Sequence, residues 1–114
     1  MASNLIVLDI PEKVSANAFY AGMHWSKRKK LADLYHAALI EHRAKRFKTP
    51  AHLTFTFTFK GRPLDASNTF AMAKMLEDGL VRWGILPDDN PDCVASIKVQ
   101  SQKGGKDTVS ILAA

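Results

Sequence analysis

The nine residues from Ala51 to Phe59 constrain the fold most. Leu53, Phe55, Phe57 and Phe59 alternate there with Thr54, Thr56 and Thr58, and side chains on a strand point alternately to its two faces. The spacing predicts a strand with one aromatic core face and one threonine face. Upstream, Leu5 to Ile10 is a nearly continuous apolar run closed by Pro11, the pattern of a short strand buried on both faces. An irregular segment through Asn17, Tyr20 and Gly22 leads to a helix from about Ser26 to Phe47, with Leu31, Leu34, Tyr35, Ala38, Leu39 and His42 on one face and Thr49-Pro50 as its stop. A second helix is expected from about Ser67 to Trp83 on a stripe of Met72, Leu76, Leu80 and Trp83, with Gly84 placed to end it in a left-handed conformation. After the loop Pro87-Asp88-Asp89-Asn90-Pro91 come two strands, Val94 to Ser101 and Thr108 to Leu112. Lys103-Gly104-Gly105-Lys106 is expected to join them as a hairpin through glycines at positive φ. The order β-α-β-α-β-β predicts an α+β fold, a single domain over residues 1–114 with a mixed sheet and two helices, and 114 residues suit one core.

With 46% hydrophobic and 24% charged residues, the composition is that of a globular protein, and no stretch is apolar for long enough to span a bilayer. Met1 to Ile10 lacks the basic n-region and cleavage site of a signal peptide. The single cysteine, Cys93, fits a reducing compartment, so a cytosolic protein is expected. Cys93 reads as a small buried hydrophobe, and His24, His36, His42 and His52 lack ligand spacing, which leaves zinc or haem unsupported. The net charge of +5 favours a polyanionic partner. Cations crowd the chain up to Arg62, whereas most acids follow Pro63.

Three groups of residues are candidates for chemistry. Asp65, Ser67 and Asn68 lie where the second helix begins, and each is able to cap its first-turn amides. They cannot all be the cap. Lys74 and Asp78 are spaced i, i+4, which by itself describes an exposed ion pair worth about 0.3–0.5 kcal/mol. Asp88 and Asp89 lie between two prolines, ordinary turn chemistry, yet a short return loop is able to carry Asp89 back towards Asp65. Converging carboxylates repel, by about 1 kcal/mol at ~4 Å in water and several-fold more when partly buried. A Mg²⁺ ion with oxygen ligands removes that conflict. The run Lys27-Arg28-Lys29-Lys30 is placed in the first helical turn, where cations oppose the helix dipole by about 0.3–1 kcal/mol each. Phosphate contacts account for it better than helix stability does, the alternative being a solvated helix end stabilised elsewhere; Tyr20 and Trp25 beside it are able to stack on bases, although aromatics in a small protein are more often core.

The residues also resemble the RusA family of Holliday-junction resolvases, over nearly the whole chain. Val14-Ser15-Ala16-Asn17-Ala18-Phe19-Tyr20 is similar to that family's Pro-Ser-Asn-x-x-Tyr-like segment, and a basic first helix follows. Asp65-Ala66-Ser67-Asn68, Lys74, Asp78-Gly79-Leu80, Gly84 and Asp88-Asp89 match its Asp-x-Asp-Asn, lysine, Asp-x-Leu, glycine and Asp-Asp features. The resemblance implies a homodimeric, Mg²⁺-dependent endonuclease, with Mn²⁺ as a substitute, that nicks four-way DNA junctions symmetrically inside a bacterial or phage-infected cell. It assigns Asp65 and Asp89 to metal-binding catalysis and makes Lys74 the essential lysine. Asp78 and Asp88 are expected as auxiliary metal ligands, and Asn17, Lys27, Arg28, Lys29, Lys30, Lys60, Arg62 and Asn68 as DNA contacts. Ser67 stands where the family has its second aspartate, and Asn68 to Lys74 is about one helical turn longer than in the family's type member. Two other expectations therefore stand beside the nuclease. One is a weakly active or inactive binder of branched DNA; the other is a small basic module for RNA or protein.

Overall fold

The alternating strand takes a central place in a four-stranded sheet in the computed structural model, which describes residues 4–114. Met1, where the N-terminal reading starts, lies outside those residues. The strands β1 (Leu5–Asp9), β2 (Ala51–Phe59), β3 (Val94–Lys103) and β4 (Thr108–Ala113) stand in the order β1-β4-β2-β3. β4 runs antiparallel to β1 and β2, and β3 runs parallel to β2. The architecture is α+β, with a mixed sheet as expected. Period-two burial along β2 is complete: Leu53, Phe55, Phe57 and Phe59 are at most 1% exposed, whereas the threonines are half-buried on the other face.

β3 and β4 do not form the expected hairpin. β2 lies between them, because its two edges accept both strands and its register sets Ile97 and Val99 beside Leu53 and Phe55. The connecting segment wraps the end of β2: Gly104 donates its N–H to Phe59 O at 2.9 Å, and Asp107 Oδ1 accepts from the Lys60 N–H at 2.7 Å. Neither Gly104 nor Gly105 has positive φ. Gly104 is needed for room, since a Cβ there would meet Thr58 Cγ2 at 2.3 Å. Gly104→Ala is expected to cost about 1–3 kcal/mol, the range for overpacking, and Thr58→Ala in the same chain to return most of it. Thermal unfolding of the single and double variants checks this.

Three helices, α1 (Ala16–Tyr20), α2 (Trp25–Ala38) and α3 (Phe70–Arg82), pack onto the phenylalanine face. The segment expected to be irregular thus holds one short helix, capped by Ser15 Oγ accepting from the Ala18 N–H at 3.0 Å. The first long helix stops at Ala38, nine residues before the expected end. Leu39 is the last buried residue of its stripe, a 3-10 turn Ile40–His42 follows, and Arg43 and Arg46 donate to the carbonyls of Ile40, Arg43 and Lys45. Phe47 is buried through a different route, with its N–H on Ile85 O at 2.9 Å. α3 begins at Phe70 rather than Ser67, because Ala66–Thr69 forms a 3-10 turn; Met72, Leu76 and Leu80 of its expected stripe are fully buried, and Trp83, just past its end, is half-buried. Gly84 ends it at φ +73: the N–H of Ile85 reaches Leu80 O and that of Gly84 reaches Val81 O, the paired bonds of a Schellman cap.

No helix among the described residues is long and apolar enough to cross a membrane.

Candidate functional site

Lys74 is the hub of the candidate site. It lies in the second turn of α3, and its Nζ donates to Glu77 Oε1 at 3.1 Å and to Asp89 Oδ2 at 3.4 Å while standing 3.2 Å from Asp78 Oδ1. Glu77 and Asp78 follow from helix spacing, since residues three and four apart share a face. Asp89 does not. It reaches Lys74 because Gly84 turns the chain sharply and Ile85 and Leu86, both fully buried, anchor the return before Pro87. Within that loop Asp88 accepts twice, from the Asp89 N–H at 2.7 Å and from Asn90 Nδ2 at 3.2 Å, and Asn90 Oδ1 accepts from the N–H groups of Asp92 and Cys93. Asp88 therefore shapes the loop, and Asp89 is left to face the helix.

Burial divides the three carboxylates. Glu77 is 4% exposed, whereas the side chains of Asp78 and Asp89 are nearly half exposed. Glu77 escaped the sequence reading, which paired Lys74 with Asp78; its i, i+3 spacing from Lys74 was the available clue. Burial works against the Lys74 ammonium, but hydrogen bonds to Glu77 and Asp78 outweigh it and raise the amine above its ordinary range. The Asp89 carboxyl is held below the usual carboxylate range, first by hydrogen bonding with Asp88 and then by Lys74. Both directions favour the charged pair.

Asp65 is in a different place. It precedes the 3-10 turn Ala66–Thr69 that leads into α3, is exposed, and makes no side-chain capping bond. None of the three cap candidates caps α3. Thr69 occupies that position, with its Oγ1 donating to Ala66 O at 2.6 Å. Asn68 is used elsewhere: its Oδ1 accepts from the Asn17 N–H at 3.2 Å, which brings α1 against the turn and joins two of the expected DNA-contact residues. Ser67 is exposed.

Glu77, Asp78 and Asp89 each offer a carboxylate oxygen, all within 4.8 Å of one another. Such oxygens suit a hard divalent cation such as Mg²⁺ or Mn²⁺. The Lys74 ammonium already neutralises them, so a metal ion would have to share or replace that role. Asp65 and Asp88 are outside this group.

The basic residues lie in two exposed stretches of the chain. Lys27, Arg28, Lys29 and Lys30 are exposed near the N-terminus of α2, where His24 caps by accepting from the Ser26 N–H at 3.2 Å. Only Lys29 of the four has an ion pair among the described residues, to Asp33 at 3.1 Å. Lys60 and Arg62 are exposed just after β2, where Lys13 Nζ donates to Arg62 O at 2.7 Å. Trp25 and Tyr20 are 67% and 56% exposed, so neither is a core aromatic.

Comparison with family models, with curated proteins and with solved structures gave no match to this chain.

Proposed function

We propose that this protein is a divalent-metal-dependent endonuclease of branched DNA, RusA-like in its residues, that acts as a homodimer on four-way junctions. One observation carries the reading: Lys74 and Asp89, fifteen residues apart and joined by the resemblance, meet at 3.4 Å. Asp78, also in the resemblance, lies on the same ammonium, and Asn17 contacts Asn68.

Asp89 and Asp78, with Glu77 behind them, would hold the metal. A bound Mg²⁺ would orient and activate water for attack on a phosphodiester and neutralise charge on the leaving oxygen. The Lys74 side chain is 41% exposed, so its ammonium has room to turn from the carboxylates to a phosphate oxygen and stabilise charge that develops there. Lys27, Arg28 and Lys30, with Lys60 and Arg62, would hold the backbones of the junction arms. A dimer supplies one site for each of two opposed strands, as two symmetric cuts require.

A second reading has its own observation. Asp65 lies outside the carboxylate group and Ser67 adds no charge, which favours a protein that binds branched DNA without cutting it.

Labelled four-way junctions incubated with and without Mg²⁺ separate these readings. The nuclease gives paired symmetric nicks that need the metal and that fall about 10²–10³-fold in Asp89→Asn, the loss typical of removing one transition-state contact. Tight junction binding without nicks supports the second reading. Indifference to branching overturns both.

A further inference from the structure

We propose that the outer edge of β1 takes up an extended peptide of another protein, laid antiparallel to β1 and carrying apolar side chains beside a lysine or arginine. β1 is an outer strand of the sheet, and its hydrogen bonds fix which groups point outward. Ala113 donates its N–H to Asn4 O at 2.9 Å, and Ile10 donates to Asp107 O at 3.1 Å. Antiparallel bonding alternates along a strand, so Ile6 and Leu8 also turn their backbone groups to β4, while Val7 and Asp9 turn theirs away from it. No described strand lies beyond them. These N–H and C=O groups form a template for one more strand. The two edges of the sheet are not alike. β3, the other outer strand, carries Lys98 and Lys103 and a register shift beside Ala51 and His52, and its Ser101 Oγ donates to Leu64 O in the loop before α3. Lysines and bulges are what keep an edge from pairing. β1 reads Leu-Ile-Val-Leu-Asp, in unbroken register with β4, and Val7 is 56% exposed.

A cavity of about 440 Å³ lies beside this edge, walled by Leu8, Ala37, Ala38 and Ile40, with Asp9 and Glu41 as its acids and no lysine or arginine. That is unusual on a chain of net charge +5. Burial holds His42, in the same wall, below the usual imidazole range. Asp9 pairs with Lys106 at 3.1 Å, but the two side chains are 68% and 71% exposed, and such a pair adds little stability and is readily exchanged. A peptide residue opposite Asp9 sets its side chain on the same face as that carboxylate, and the residues before and after it turn to the other face with Leu8. The edge therefore suits a cation opposite Asp9, an apolar residue opposite Val7 and apolar residues between and beyond them, in the cavity. A second copy of β1 would bring another Asp9 and no cation, so charge favours a foreign segment.

Pairing at this edge needs nothing from the nuclease reading, and its test uses no DNA. The probe is the peptide Lys-Leu-Val-Leu-Lys, acetylated and amidated at its ends and titrated into the ¹⁵N-labelled full chain. The amide signals of Val7 and Asp9 are expected to move with peptide concentration, and those of Glu77, Asp78 and Asp89 to stay. Exchange of both peptide lysines for glutamate is expected to weaken binding about tenfold or more, and Asp9→Lys with Glu41→Lys to reverse that preference. N-methylation of the peptide's valine removes a donor aimed at β1 and is expected to weaken binding about tenfold; N-methylation of a leucine, whose N–H turns away, is expected to do much less. Val7→Pro removes an outward N–H and leaves the bonds to β4, so it is expected to keep its far-UV circular dichroism and to lose the peptide. Shifts confined to the carboxylates around Lys74, equal binding of the basic and acidic peptides, or equal or reversed effects of the two methylations overturn the proposal. Concentration-dependent changes at Val7 and Asp9 without any peptide assign the edge to a second copy and overturn it as well.

Discussion

Lys74→Met is expected to abolish junction cleavage and to lower stability by about 2 kcal/mol. Two effects combine. On the proposed nuclease reading, removal of a cation that would face the reacting phosphate costs about 10²–10³ in rate, and removal of the hub also frees Asp89 from α3. The stability loss has another origin. Glu77 is 4% exposed and its carboxylate loses its partner, a situation that costs about 3–5 kcal/mol in a fully buried pair. Here the lysine end is 41% exposed, so water reaches the pair and the smaller figure applies. Glu77→Gln added to Lys74→Met is expected to recover most of the stability, because the uncompensated charge is gone, and none of the cleavage. Chemical unfolding and junction nicking, measured on both variants, check the two halves separately. Unchanged stability in the single variant would sink the view that Lys74 holds Glu77.

Local chemistry explains which parts of this arrangement were legible in the sequence. β2 was readable because alternation at period two has one structural meaning over nine residues. The end of α3 was readable because Gly84 combines an apolar stripe that stops with a residue free to adopt positive φ. Lys74 with Asp78 was readable because helix spacing alone makes them neighbours. What failed depends on contacts distant in the chain. Ala37 to Phe47 keeps good helix formers, yet Phe47 is taken up by Ile85, and nothing local announces that. Lys103 to Lys106 has hairpin composition, but the strand it would pair with is already claimed by β2, so the same glycines serve a crossover that needs space.

The site divides along the same line. Asp89 was tied to Lys74 only by resemblance, since no spacing rule carries a residue through an irregular loop, and the two meet. The resemblance equally tied Asp65 to them, and Asp65 sits before the 3-10 turn with its carboxylate outside the acidic group. The elements give a physical reason: Asp65 precedes the 3-10 turn Ala66–Thr69 whereas Lys74 lies in the second turn of α3, and Glu77, rather than a residue near the helix start, is the buried carboxylate beside the lysine.

Phe57→Ala is expected to be the most damaging single change in the core. Phe57 is fully buried near the middle of β2, with its ring stacked at 6.5 Å from that of Phe59. Truncating such a side chain costs about 3–5 kcal/mol through lost transfer and the cavity left behind, against a total stability of about 5–15 kcal/mol for a domain. The midpoint of thermal unfolding should fall by roughly 10–20 °C. Thr56→Ala, one residue away on the opposite face, removes a bond to Gln100 Oε1 at 2.9 Å that water can replace, and should cost less than about 1 kcal/mol. Equal losses at the two positions would contradict the two-faced strand. Because α3 rests on the phenylalanine face, the same experiment separates packing from chemistry. Cleavage by Phe57→Ala should fall in proportion to the unfolded fraction as temperature rises, whereas Lys74→Met should be inactive at temperatures where it is fully folded.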